Sequence, residues 1–401
     1  MYEEARHERL IESDWDEEQA RAAIDRIVRD THALFDPQKL WPIHPLDRFK
    51  QKLPESLKML YFGAAGVIWA VDYLCRVTSM AVKRDFTTTL NQLADQNRRE
   101  MNLSDQETSS LWMGDVGILL TAQKLSPSEQ IEDELARLIA ANIRNSTREI
   151  MWGAPGTMLA ALFLWERTAN LRWQELFLDS VNELWKQWEP VADVGCCLWT
   201  QDLYGSSLRY LGAGHGLAAT ASVLIRGHHL LNAPRRNELF SRIYDVLAAT
   251  AEESADCANW PAAWVSASQQ RKMLVQHCHG APGMITCLAD IPAGLNARFD
   301  ELLQKGGELI WQAGPLTKGP SLCHGTAGNG YAFLKLYRRT GETKWLDRAR
   351  AFAMHAIEQS ERHAKQYGQL RYSLWTGDLG LAVYLWDCMR GEGKFPTMDI
   401  F

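Results

Sequence analysis

The chain has 401 residues, of which 46% are apolar and 23% charged, so a sizeable buried core is available to a globular protein. Its formal net charge of −6 and its short basic runs, Arg235-Arg236 and Arg338-Arg339, argue against nucleic-acid binding. Eight cysteines are too few for a disulfide framework, and no apolar run approaches the length of a membrane span. The acidic start, MYEEARHERLIESDWDEEQ, has no signal-peptide character, so a cytoplasmic setting with reduced thiols is expected.

In chain order, residues 14–34 carry a helical pattern, and 37–54 hold four prolines and read as a wrapping segment. Residues 1–55 are accordingly set apart as an N-terminal segment, with 56–401 as the main domain. From there a tetrad recurs, each copy leading into an apolar stretch of helical period: Gly63-Ala-Ala-Gly66, Gly114-Asp-Val-Gly117, Gly153-Ala-Pro-Gly156, Gly216-Leu-Ala-Ala219, Gly280-Ala-Pro-Gly283, Gly325-Thr-Ala-Gly328 and Gly377-Asp-Leu-Gly380. Repeats at intervals of about 40 to 65 residues suit a solenoid or closed array of two-helix units. Glycine at a helix start permits close backbone approach and is expected to leave amide groups free toward a cavity. Between the tetrads lie charged amphipathic segments, such as 128–144, 171–189, 235–253 and 344–362, which read as surface helices. Buried and surface helices alternating over seven units predict an all-α protein, an α/α toroid. Residues 190–214, with Cys196 and Cys197, read as an irregular insertion.

Histidine precedes three tetrads, as His215, His279 and His324, and cysteine precedes two of those histidines, giving Cys278-His279-Gly280 and Cys323-His324-Gly325. Equivalent positions on successive units of a closed array face one central space. The two turns therefore bring together the sulfur and imidazole donors that zinc accepts, with three protein ligands leaving a fourth position open. Cys278 and Cys323 need a third ligand, and either His324 or His279 would serve. The other reading of such residues is a small buried hydrophobe or a turn residue.

The segments LGAGHGLAAT, HCHGAPG and LCHGTAGNGYAFLKLY resemble the LanC-like (lanthionine synthetase C-like) family, and the resemblance runs from about residue 63 to 387. It implies a toroid of seven inner and seven outer helices, zinc on Cys278, Cys323 and His324, an acid/base histidine at His215, and an aspartate at Asp115. It also implies a reaction: a thiolate adds to the β-carbon of dehydroalanine or dehydrobutyrine, and the resulting enolate takes a proton. Histidine suits that proton transfer, and Asp115 would orient His215 or a water, or cap its helix, as Asp378 would in the seventh tetrad. Lys318, five residues before Cys323, matches a lysine associated with glutathione in the stand-alone members, and a cation there would hold a glutathione carboxylate. The expected partners are glutathione or a dehydrated peptide or protein, with a separate dehydratase or kinase as the source of the dehydroamino acid. Two departures stand out. His277 replaces a tryptophan common before the fifth-unit cysteine and is expected to alter the cavity wall, and Ala219 replaces a tetrad glycine. A non-catalytic zinc- and glutathione-binding protein is the alternative reading. A carbohydrate enzyme using Asp115 and Asp378 ranks below it, because it leaves both Cys-His-Gly turns unexplained.

Overall fold

The computed structural model describes residues 1–48, 53–80, 84–265 and 271–401. Every tetrad opens an inner helix: α2 (Ala64–Val77), α5 (Asp115–Leu125), α7 (Ala154–Thr168), α9 (Leu217–Arg226), α11 (Ala281–Leu288), α13 (Thr326–Thr340) and α15 (Asp378–Arg390). The outer helices are α1 (Glu17–Ala33), α3 (Thr87–Met101), α6 (Glu129–Asn142), α8 (Leu171–Lys186), α10 (Ala233–Thr250), α12 (Ala297–Ala313) and α14 (Thr343–Tyr367); a single extra turn, α4 (Asp105–Thr108), follows α3. Each inner helix packs on the next, and α15 packs back on α2, so the array closes into an α/α toroid. Helix α1, from the segment set apart in the sequence, packs against α14 and α15 as an outer helix at the point of closure.

Composition separates the two rings. Helix α7 is buried without interruption from Ala154 to Leu164. Helix α8 buries only Trp173, Phe177, Ser180, Val181 and Leu184, one face at helical spacing. Five of the seven outer helices begin with a side-chain cap, for instance Ser128, Asn170, Asn232 and Asn296, whereas inner helices begin at glycine with none. The reason is space. A Cβ on Gly66 would stand 2.1 Å from the Leu60 carbonyl oxygen, and one on Gly328 would stand 1.7 Å from that of Leu322. The preceding loop folds back over the helix start and caps it with its own carbonyls: Ala64 N–H donates to Leu57 O, Thr326 N–H to Gly319 O and Asp378 N–H to Arg371 O, each at 2.9 Å. The amides expected to point freely into the cavity are therefore already bonded.

These loops are also joined to one another around the ring. In five of the seven units the residue two before the tetrad donates its N–H to the matching residue of a neighbouring unit: Gly214 to Cys278, Cys278 to Cys323, Cys323 to Trp375, Trp375 to Tyr61 and Tyr61 to Trp112, at 2.9–3.2 Å. That ladder brings equivalent positions of separate units onto one circle. Residues 190–214 are more ordered than expected. They form the hairpin β1–β2 (Glu189–Val191, Cys196–Leu198) and the hairpin β3–β4 (Gln201–Leu203, Ser206–Tyr210). Tyr204 (φ +52°) and Gly205 (φ +75°) make the two-residue turn of β3–β4, whose strand twist requires positive φ at both places. Two short pairs complete the strands: β5 (Glu252–Glu253) with β6 (Ala258–Asn259), and β7 (Ala263–Trp264) on β4.

Candidate metal centre and acid–base pair

The Cys-His-Gly turns precede α11 and α13, which are neighbours in the ring, and the ladder bond from Cys278 N–H to Cys323 O (3.0 Å) sets them side by side. The ligand atoms of Cys278, Cys323 and His324 lie within 4.8 Å of one another, the one such cluster of metal-type donors among the described residues. His279 lies outside it. Both cysteines are buried. Cys278 and Cys323 share a hydrogen bond that pushes Cys323 well below the ordinary thiol range, helped by His324 and the Tyr61 hydroxyl; the same bond, with burial, pushes Cys278 well above it. Two thiols competing for one proton beside an imidazole form a soft, electron-rich donor set, which fits zinc. Each sulfur has a further polar neighbour: Tyr61 at Cys323, and Gln276 Nε2 at 2.9 Å from Cys278 Sγ.

His215 ends the turn before α9, the inner helix beside α11, and Gly214 N–H on Cys278 O (2.9 Å) ties that turn to the metal-type cluster. Its Nδ1 lies 2.9 Å from Glu149 Oε2. Glu149 is fully buried, and its two oxygens also accept the Met151 N–H (2.9 Å) and the Trp152 N–H (2.6 Å). A carboxylate held this way takes a proton-bearing Nδ1, which leaves Nε2 as the ring nitrogen turned away from the carboxylate. Tyr204 stands edge-on to the His215 ring at 5.5 Å, and Trp152 Nε1 donates to the Tyr204 hydroxyl. Sequence reasoning missed Glu149. Its signal was an acidic residue four positions before a tetrad, in a loop that the fold buries.

The remaining predicted residues fall elsewhere. Asp115 is the first residue of α5, but its carboxylate is bonded to Asn97 (3.3 Å) and Arg98 (2.5 Å) of the outer helix α3. Among the described residues it caps no amide, and it has no bond to His215. Burial pushes its pKa up to about 6, against the opposing pull of Arg98. Asp378 accepts the Arg371 N–H. Lys318 is exposed on the turn between α12 and α13, close enough for its charge to act on Cys278. His277 is a core residue, stacked on Phe395 at 4.3 Å and kept neutral by burial, with its pKa near 4. Cys196 and Cys287 are pushed up to about 12 by burial, which leaves them inert.

Comparison with known proteins accords with this geometry. The chain is 27% identical over 398 residues to glutathione S-transferase LANCL1 of Danio rerio, covering 92% of this chain and 95% of that one. It is 30% identical over 261 residues to LanC-like protein GCL1 of Arabidopsis thaliana, covering 63% of this chain and 58% of that protein. Among solved structures it superposes on a nisin cyclase with a TM-score of 0.61 at 16% identity, over 92% of this chain and 93% of that one, which speaks for the fold alone. The model of the lanthionine synthetase C-like proteins matches residues 56–400, and the chain belongs to that family.

Proposed function

We propose that this chain is a zinc-dependent enzyme that joins a thiol, glutathione in the favoured reading, to dehydroalanine or dehydrobutyrine residues as a thioether. The observation that carries the reading is the placement of His215, paired with Glu149, on the turn bonded directly to Cys278. Cys278, Cys323 and His324 would hold the metal. Zinc, when bound there, supplies the positive charge that turns a substrate thiol into a thiolate near neutral pH.

The chain's own groups do the rest. The thiolate forms a C–S bond to the β-carbon, and the double-bond electrons move onto the α-carbon and its carbonyl. His215 Nε2 delivers the proton that completes the α-carbon, and the next thiol restores the proton to His215. Glu149 holds the ring in the tautomer this needs and balances its charge; in this reading Glu149 takes the orienting role considered for Asp115, which secures α5 to α3. Lys318 would pair with a glutathione carboxylate. The dehydroamino acid would come from a separate dehydratase, or from a protein whose phosphorylated serine or threonine has eliminated phosphate, the product of a kinase. A reducing, cytoplasmic setting would keep the thiols free.

The name of the Danio rerio relative supports glutathione as the thiol, and membership of the lanthionine synthetase C-like family keeps a peptide thiol as the second candidate. The test is to incubate zinc-loaded protein with glutathione and a dehydroalanine peptide and to look for the peptide–glutathione adduct by mass spectrometry. Adduct formation above the uncatalysed rate is expected. Binding of zinc and glutathione without catalysed adduct would favour the non-catalytic alternative.

A further inference from the structure

The N-terminal residues pack beside this site. Arg6 O accepts from Thr317 N–H (3.0 Å) and Thr317 Oγ1 (3.1 Å), and Glu8 N–H donates to Pro315 O (2.9 Å). The Glu8 carboxylate is gripped by His355, Gln359 and Arg362 at 2.6–2.8 Å. So anchored, the strap points the Arg6 side chain at Gln276, with Nη2 2.9 Å from Oε1. The other end of the same buried amide places Nε2 2.9 Å from Cys278 Sγ.

The geometry points to Gln276 as a positioning residue for the Cys278 sulfur, with Arg6 as the lock that keeps its donor end on that sulfur. Hydrogen-bond polarity fixes the orientation of the amide. A guanidinium can only donate, so the amide end facing Arg6 must be the oxygen. The amide end facing Cys278 is then the NH2 group, the end that stabilises a thiolate. Without Arg6, a half-turn of the amide would set its oxygen against the sulfur and replace attraction with repulsion. The two residues are 270 positions apart in the chain, and the strap's anchors on Thr317 and Pro315 join them.

This matters because the site gathers negative charge. Two protein thiolates and one substrate thiolate exceed the charge of a divalent cation by one unit. An N–H donor to one of the sulfurs offsets part of that excess without adding a ligand, and groups in this position commonly govern metal affinity about 10- to 100-fold. Gln276 also occupies, relative to its tetrad, the place that Glu149 occupies relative to its own: four residues before the first glycine. In both units the loop position at this depth orients a functional side chain.

The inference rests on the metal reading proposed above, and the experiment separates the two. Zinc affinity is measured by chelator competition in wild type, Gln276→Met, Arg6→Leu and the double variant, and cobalt-loaded samples report the sulfur-to-metal charge-transfer band. Expected are zinc binding about 10- to 100-fold weaker in Gln276→Met, a smaller loss in Arg6→Leu, and no further loss when Arg6→Leu is added to Gln276→Met. The band should move to longer wavelength in Gln276→Met, which a merely structural role would not produce. Gln276→Glu keeps an acceptor for Arg6 but removes the donor. It should show the same band shift in a normally folded chain, even where the methionine variant folds poorly. A folded Gln276 variant with unchanged zinc affinity and an unmoved band overturns the inference while leaving the metal site standing. An equal effect of Arg6→Leu in both backgrounds overturns the lock. A wild type that binds no zinc overturns the site reading and this inference with it.

Discussion

Replacing Glu149 by glutamine probes the acid–base pair with almost no change in volume, yet the surroundings make it far from silent. One carboxylate oxygen serves His215 and the Met151 N–H; the other serves the Trp152 N–H. An amide has one oxygen, so it must turn its NH2 toward one of these donors. The less costly choice keeps His215 and Met151 and leaves the Trp152 N–H facing another donor. Orphaning a buried N–H costs about 1–3 kcal/mol of stability. At His215 a hydrogen bond to a charged group, worth about 1.5–3 kcal/mol, falls to the neutral level of about 1. If all of a 1.5–3 kcal/mol bond were lost to the protonated ring, the rate of α-carbon protonation would fall roughly 10- to 150-fold, which is the upper range expected. The assay is single-turnover adduct formation at saturating thiol, with zinc content and the unfolding midpoint measured on the same sample. Full zinc, a lowered midpoint and a slowed step are expected. A lowered midpoint with an unchanged single-turnover rate would refute the pair as the proton source and leave Glu149 a structural residue.

Three further outcomes follow from named contacts. Gly328→Ala pushes a Cβ into the Leu322 carbonyl, next to Cys323, and should cost about 1–3 kcal/mol or more in chemical denaturation while lowering zinc content; wild-type values for both would contradict the close-packed loop. Asp115 is protonated more readily in the folded chain than in the unfolded one, so its contribution is complete below about pH 4 and is lost as pH rises through about 6. Asp115→Asn should flatten that decline in denaturant midpoints and leave adduct formation within about threefold, whereas a loss of 10²-fold or more would return Asp115 to the catalytic role. Lys318→Ala should abolish a preference for glutathione over a thiol lacking carboxylates, read by titration; a wild type with no such preference would favour a peptide thiol.

Much of the fold was legible because its constraint is steric. The tetrad glycines are fixed by carbonyl oxygens that a Cβ would strike, and the ladder that links successive loops turns a spacing pattern into a shared circle on which Cys278 meets Cys323. The carboxylate beside His215 was not legible. Asp115 and Glu149 each lie near a tetrad, but the first residue of an inner helix turns toward the outer ring, while the loop position four residues earlier turns toward the centre, and spacing alone does not carry that direction. The position of α1 in the outer ring was hidden by the proline-rich segment that separates it from the first tetrad. The Arg6–Gln276 contact, at 270 residues' separation, leaves no local mark.

In the proposed reaction one cluster both holds zinc and makes the thioether. Elemental zinc and peptide–glutathione adduct should be measured together, in the same preparations of wild type, Cys278→Ala and Cys323→Ala. One zinc per chain with adduct formation is expected in the wild type, and the loss of both in each variant, since the two donors left bind zinc weakly. Full zinc in the variants, or undiminished adduct without zinc, would contradict it.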